Sequence, residues 1–386
     1  MKRSKITRRQ FVSKMAAGAV TAGFSLSAFS ANDAIDPTSR SLEYRKLGRT
    51  GLRVSAVSFG AMTTSDPLVI RHAVDLGINY IDTARIYLRG ENEKIVAAAI
   101  KDVPRDKIFI ATKIPSSTRR KPLRSLPKQE MLSLVEESLA ALKTDYVDVL
   151  LLHSIADRDQ VFNEYAVDVL AKLKKDGKIR FPGISTHTNI PEVVDAAIES
   201  GFYDVILAKL NFKSDQADVE SLERAAKTGI GIVAMKTQAG GYRTEEMGGF
   251  TPHQAALKWV LQHKFVANAI PGMTTIQQVE ENFPVMKKPE LATREKAALK
   301  AYGDSIDGLY CRMCAKCEED CPYGAPIAEI NRCVMYAEGY RDKALARAEL
   351  ASLGTLPCVD CSTCTVACRN HINVQAKIQA ALALLT

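Results

Sequence analysis

From Leu42 to Pro289 short apolar runs alternate with amphipathic stretches. The runs are Val54–Phe59, Tyr80–Thr83, Ile108–Thr112, Val147–Leu152, Phe181–Ile184, Val205–Leu210, Ile230–Met235 and Val266–Ile270. Runs without apolar–polar alternation mark strands covered on both faces, as in a parallel sheet under helices. Helical spacing fills the gaps, at Pro67–Leu76, Glu91–Ile100, Lys128–Leu142, Tyr165–Asp176, Pro191–Ser200, Val219–Lys227 and Pro252–His263. Trp259 falls at an apolar position of the last of these and reads as core. Eight strand–helix units in about 250 residues predict a (β/α)8, or TIM, barrel over residues 42–292. A doubly wound sheet would carry a G-x-G-x-x-G turn after its first strand. None is present, and Ser58-Phe59-Gly60 reads as a turn. After the barrel, residues 300–386 predict a small, mainly α-helical domain, with helical spacing over Ile327–Tyr340 and Asp342–Ser352.

That second domain holds the densest chemistry. The run C-x2-C-x2-C-x3-C occurs twice, as Cys311, Cys314, Cys317 and Cys321, and as Cys358, Cys361, Cys364 and Cys368. Eight of the nine cysteines lie in these runs. The ninth, Cys333, sits in a helical stretch and reads as a small buried apolar residue. Zinc favours paired C-x2-C motifs, and disulfides favour small secreted scaffolds. Triplets with a trailing fourth cysteine fit two [4Fe–4S] clusters. In two-cluster ferredoxins the trailing cysteine serves the other cluster, so the expected sets are Cys311, Cys314, Cys317 with Cys368, and Cys358, Cys361, Cys364 with Cys321. The long helical segment between the runs resembles an α-helical two-cluster ferredoxin.

Charge changes the picture only at the N-terminus. Lys and Arg number 52 against 44 Asp and Glu, a formal net charge of +8. No basic stretch is interleaved with aromatics, which sets nucleic acid aside. No segment after the N-terminus is apolar enough to span a membrane. The opening Thr7-Arg8-Arg9-Gln10-Phe11-Val12-Ser13-Lys14, followed by the weakly apolar Met15–Ala31, resembles a twin-arginine export signal over residues 1–31. The expectation is a protein exported to the periplasm, or otherwise out of the cytoplasm, by the twin-arginine machinery. A second basic run, Arg119, Arg120, Lys121 and Arg124, reads as a solvated face.

Barrel enzymes carry their chemistry at the C-terminal ends of the strands. Asp82 ends the second run and Tyr87 follows it; Lys113 ends the third and His153 the fourth. His187 follows the fifth and reads as a loop residue, with a place facing the site as the alternative. Four such side chains at one mouth form a candidate catalytic set. With Lys46-Leu47-Gly48-Arg49-Thr50-Gly51-Leu52 at the start and Asp82-Thr83-Ala84, Tyr87, Glu93, Lys113 and His153 after it, the chain resembles the aldo/keto reductases. Gly183-Ile184-Ser185, Ala234-Met235-Lys236, Gly240-Gly241, Ile270-Pro271-Gly272 and Glu281-Asn282 extend the likeness. Together with the tail, the chain resembles the branch of that family with a C-terminal iron–sulfur domain.

The resemblance implies reduction of a small carbonyl, or oxidation of an alcohol, with Asp82, Tyr87, Lys113 and His153 as a tetrad. Tyr87 would protonate the developing oxyanion, with Lys113 lowering its pKa from the ordinary value of about 10. Asp82 would hold Lys113, and His153 would orient the substrate oxygen. The resemblance also implies a nicotinamide, NADP or NAD: Ser185 at the carboxamide, Lys236 with Gly240 and Gly241 over the pyrophosphate, Glu281 and Asn282 at the adenine. Three positions depart from the family's pattern. Leu207 stands for a glutamine, Leu210 for the ring that stacks on nicotinamide, and Gln278 for the base that pairs a ribose phosphate. A nicotinamide moves two electrons and each cluster one. A redox partner protein or a quinone-linked donor is therefore an expected partner. The alternative is an electron-transfer protein whose barrel is a scaffold with a relict site.

Overall fold

The computed structural model describes residues 42–115, 117–118, 121–122, 126–242, 252–361 and 364–385. The export signal expected over residues 1–31, and the side chains of Arg119, Arg120, Lys121 and Arg124, lie outside the described residues. A hairpin of β1 (Tyr44–Lys46) and β2 (Arg53–Ser55) opens the chain. Its Leu47, Leu52 and Val54 close the barrel floor against Val149, Leu151, Val205, Leu207 and Val233.

The barrel strands are β3 (Phe59–Gly60), β4 (Tyr80–Asp82) and β5 (Phe109–Ile114); a two-residue hairpin, β6 (Ser117–Thr118) and β7 (Lys121–Pro122), interrupts the series. It resumes with β8 (Val147–Leu152), β9 (Ile179–Thr186), β10 (Val205–Lys209), β11 (Gly231–Met235) and β12 (Val266–Ala269). Eight strands pair in parallel in chain order, and single bridges Val57–Ala269 and Gly60–Gly272 join the last to the first. This is a nearly closed parallel barrel.

The seam corrects two expectations. Of the Val54–Phe59 run only Phe59 enters a barrel strand, Phe59–Gly60, since Arg53–Ser55 turns away to pair with β1. Ser58-Phe59-Gly60 is accordingly more than a turn. The seam is tight at Gly60, where a Cβ would stand 2.7 Å from the Ile270 carbonyl oxygen.

Around the sheet run α1 (Pro67–Asp75), α2 (Asn92–Ala99), α3 (Lys128–Leu142), α4 (Arg158–Val161), α5 (Glu164–Lys175), α6 (Ile190–Ser200), α7 (Gln216–Lys227), α8 (Pro252–Leu261), α9 (Ile276–Asn282) and α10 (Thr293–Ser305). Side chains of Asp66, Asn163 and Thr275 accept the first backbone amides of α1, α5 and α9. Trp259 on α8 is only partly buried, because it bridges the barrel core and the layer under the tail.

The tail comprises α11 (Lys316–Glu319), α12 (Ile327–Glu338), α13 (Lys343–Ser352) and α14 (Val374–Leu385). Helix α12 has two apolar faces. Ile327, Ile330, Cys333 and Val334 enter the tail's own core with Leu350, Val374 and Ile378. Met335 and Tyr336 pack instead against Ala239, Tyr242, Tyr302 and Tyr310. The tail thus sits on the barrel mouth. Among the described residues, no helix is long and apolar enough to cross a membrane.

Candidate active site

Strand ends deliver the mouth. Asp82 is the last residue of β4, Lys113 lies near the end of β5, and His153 follows β8. Tyr87 is set by a turn in which Leu88 and Arg89 take left-handed backbone angles, φ 48° and 58°. Each costs roughly 1–2 kcal/mol, a strain of the kind that collects at functional sites.

Lys113 Nζ lies 2.5 Å from Asp82 Oδ1 and donates to the Thr83 carbonyl at 2.7 Å. The two side chains are 0% and 4% exposed. The same ammonium stands 4.8 Å from the centre of the Tyr87 ring. The His153 ring meets Tyr87 edge to face, centroids 5.9 Å apart. Behind them Glu93 is buried and accepts from Thr112 at 2.6 Å. The structure therefore brings Asp82, Tyr87, Lys113 and His153 together.

Removing half of this ion pair gives a stability prediction. Asp82→Asn leaves a buried ammonium uncompensated, at a cost of about 3 kcal/mol or more. The variant should melt well below the parent in a thermal scan, and an equal Tm would contradict the account.

The expected lowering of the Tyr87 pKa is not what the site produces. Burial, then the charges of Asp82 and Glu349, push it well above the ordinary tyrosine value, with Arg332 opposing. The physical reason is first burial, which disfavours the phenolate, and then the nearby Asp82 carboxylate. Tyr87 thus keeps its proton at neutral pH. Burial pulls the Lys113 pKa down, and Asp82 opposes the shift. Burial, then Lys113, Arg332 and Lys236, hold His153 well below its usual range. A group so depressed stays neutral until pH falls well below 6.5. The pH profile of kcat/KM should therefore show no ionisation from His153 between pH 8 and about 6; a step there that His153→Gln removes would contradict this.

His187, read as a loop residue, is buried at the mouth, because β9 runs on to Thr186 and carries it inward. Its Nδ1 has no partner among the described residues. Its place just after Ser185 was the available signal. Arg332 of α12 was not legible at all. It is held by Tyr336 at 2.6 Å, Glu329 at 2.6 Å and Glu349 at 3.1 Å. Its charge acts on Tyr87, His153, His187 and Lys236.

The residues expected at a nicotinamide divide into two groups. Ser185 Oγ accepts from the Ser154 amide at 2.9 Å, inside the mouth. Asn282 is buried with Oδ1 unpartnered among the described residues, an acceptor suited to an adenine amine. Glu281, beside it, lies 3.5 Å from His253 Nδ1. Asn282 thus offers a free acceptor at the adenine end, while the Ser185 hydroxyl also donates to the Leu152 carbonyl at 3.4 Å. The middle of the groove is engaged by the tail: Lys236 Nζ donates to the hydroxyls of Tyr336 and Tyr340 at 3.2 and 3.3 Å. Gly240 and Gly241 pack on Met335, Gly339 and Tyr340. Of the departing positions, Leu207 and Leu210 are buried, and Gln278 caps its own loop by accepting from the Thr274 amide at 2.6 Å.

The cysteines converge on two cavities in the tail. One, about 100 Å³, is lined by Cys311, Cys314, Cys317 and Cys368. The other, about 340 Å³, is lined by Cys321, Cys358, Cys361 and Cys364. Backbone amides of Met313, Ala325 and Asn370 donate to the sulfurs of Cys311, Cys321 and Cys368, each at 3.4 Å. Such bonds are among the groups that tune cluster potentials. Burial pushes the Cys311 thiol up to about 12 and Cys317 up to about 11. Thiols so placed keep their protons unless a metal takes the sulfur. Among the described residues, no group of three or more His, Cys, Asp or Glu side chains is arranged to hold a metal ion. Four cysteine sulfurs lining one cavity are the donor chemistry that an iron–sulfur cluster would take.

Residues 62–249 and 244–304 match the model of the aldo/keto reductase family. The L-galactose dehydrogenase of Arabidopsis thaliana is 30% identical over 289 residues, 64% of this chain and 89% of that protein. The aldo-keto reductase AKR11C1 of Bacillus halodurans, in its holo form, superposes with a TM-score of 0.56 at 26% identity, covering 67% of this chain and 96% of that one. An aldo-keto reductase of Klebsiella pneumoniae, in complex with NADPH, shares the fold at a TM-score of 0.56 and 24% identity over 68% and 95% of the two chains. The family match ends at residue 304, before the first cysteine run. It nevertheless spans more than half of the 386 residues, and by that measure this chain is an oxidoreductase of the aldo/keto reductase family.

Proposed function

We propose that the protein is an exported oxidoreductase that interconverts a small carbonyl and its alcohol at Asp82, Tyr87, Lys113 and His153, coupled to electron transfer through two [4Fe–4S] clusters. The barrel, residues 42–292, carries the chemistry, and residues 300–386 hold the clusters. The observation that carries this reading is two four-cysteine cavities in a tail that rests on the mouth where the four side chains meet. The paired arginines Arg8 and Arg9 support export through the twin-arginine route, which carries folded, cofactor-loaded proteins. A redox partner protein or quinone-linked donor then meets the tail.

The residues divide the work. Neutral His153 donates a hydrogen bond to the substrate oxygen and fixes its position. Tyr87, kept protonated by burial, gives its proton as charge builds on that oxygen. Lys113, facing the ring, stabilises the phenolate left behind, and Asp82 holds the ammonium in place. When bound, a nicotinamide would supply a hydride to the carbonyl carbon; the two clusters would supply one electron each, and that route would take, besides the Tyr87 proton at oxygen, a second proton from solvent at carbon.

The test uses protein purified anaerobically with its metal. It should contain about eight irons per chain. It should turn over small aldehydes, or a sugar alcohol group of the kind the L-galactose dehydrogenase relative is named for. Iron-free protein, or no turnover of any carbonyl or alcohol, would overturn the reading.

A further inference from the structure

We propose that the docked tail and a dinucleotide exclude each other, because Gly339 and Tyr340 occupy the loop that would cradle the pyrophosphate. The inference rests on the nicotinamide part of the reading above. In (β/α)8 barrels a phosphate is commonly held by backbone after the seventh and eighth strands. Here the loop after the seventh, β11, opens with Lys236–Gly241. Four of its residues, Lys236, Ala239, Gly240 and Gly241, have φ of 56°, 48°, 92° and 62°. Successive turns of this hand form concave amide surfaces that suit anions. Thr237, inside the loop, is 1% exposed, and its Oγ1 has no partner among the described residues.

The tail fills that concavity. Gly339 follows α12 and lies so close to Gly240 that a Cβ there would overlap the Gly240 carbonyl oxygen and stand 3.1 Å from its carbon. Met335 covers Gly240 from the other side, and the Tyr340 ring covers Gly241. Lys236, the cation available to a phosphate, stands 4.6 and 5.1 Å from the ring centres of Tyr336 and Tyr340 while bonded to both hydroxyls. Tyr336 is buried with Ala239, Tyr242 and Tyr302 in one apolar layer. The same cation and the same glycines serve either the tail or a pyrophosphate. Position of the tail thereby decides which electron donor the mouth receives: the cluster-bearing domain when docked, a dinucleotide when displaced.

Gly339→Ala separates docking from folding. Its φ of −82° and ψ of −55° are helical, so alanine suits the backbone; the contact with Gly240 opposes it most, and the Met335 carbonyl oxygen, at 3.0 Å from the added Cβ, is the next nearest atom. Calorimetry with NADPH is run anaerobically on the full, cluster-loaded chain. The variant should bind about tenfold tighter or more, as the competent fraction rises. Tyr340→Ala, which strips a ring and a hydroxyl from Lys236, should act in the same direction. In the parent, saturating NADPH should raise deuterium uptake across residues 327–340. Equal affinity in parent and both variants, including no binding by any, with tail protection unchanged, would overturn the proposal. Iron content of the variants reports separately on the tail, and carbonyl turnover of the parent reports on the catalytic reading alone.

Discussion

Tyr87→Phe should lower carbonyl turnover by about a thousandfold, the usual scale for loss of a positioned general acid. The substitution is clean. The ring keeps its edge-to-face contact with His153 and its place under the Lys113 ammonium; only the hydroxyl goes. Stability should hardly change, and iron content should match the parent. The loss should appear in kcat, because the proton is needed as charge develops on oxygen rather than for binding. An electron-transfer protein with a relict barrel predicts the opposite pattern. Its clusters would exchange electrons with a partner at the parental rate, and turnover would be absent from the start. Parental turnover in the phenylalanine variant would remove Tyr87 from the chemistry.

Cys368→Ser should empty the first cavity and spare the second, although Cys368 lies only four residues beyond Cys364 in the chain. The cavity geometry is the reason: Cys368 shares its walls with Cys311, Cys314 and Cys317, while Cys364 faces Cys321 and Cys358. Iron should fall to about half, and any magnetic coupling between two reduced clusters should vanish from the EPR spectrum. Cys321→Ser is the mirror case and should empty the second cavity. Metal binding in small domains is also folding energy, so both variants should lose protection in the tail. Loss of the Cys358 cavity's cluster on changing Cys368 would mean that each run binds its own cluster.

Much of the barrel was legible because its strands are buried on both faces. Runs such as Val147–Leu152 have no polar face to confuse the period, and β8 has the expected bounds. The first strand was not legible, because its end is set by a two-residue seam with β12 rather than by its own pattern. Strand ends also brought Asp82, Lys113 and His153 to one rim, which a residue count along the runs anticipates. Tertiary electrostatics escaped the sequence. The direction of the Tyr87 shift depends first on its burial, then on Asp82 and on Glu349, which lies far along the chain. The docking of α12 was equally hidden. Arg332, Tyr336 and Tyr340 follow helical spacing and read as one face of an amphipathic helix. Nothing local tells that the partner of the two tyrosines is Lys236, about a hundred residues upstream.

The most direct measurement of the central claim is a single turnover. Both clusters are reduced with dithionite, the excess is removed anaerobically, and a turned-over carbonyl is added while cluster absorbance and EPR are recorded. Coupling predicts that both clusters reoxidise as one alcohol forms per chain, and that Tyr87→Phe stops both events together. Clusters that stay reduced, with no alcohol formed in the absence of nicotinamide, would contradict it.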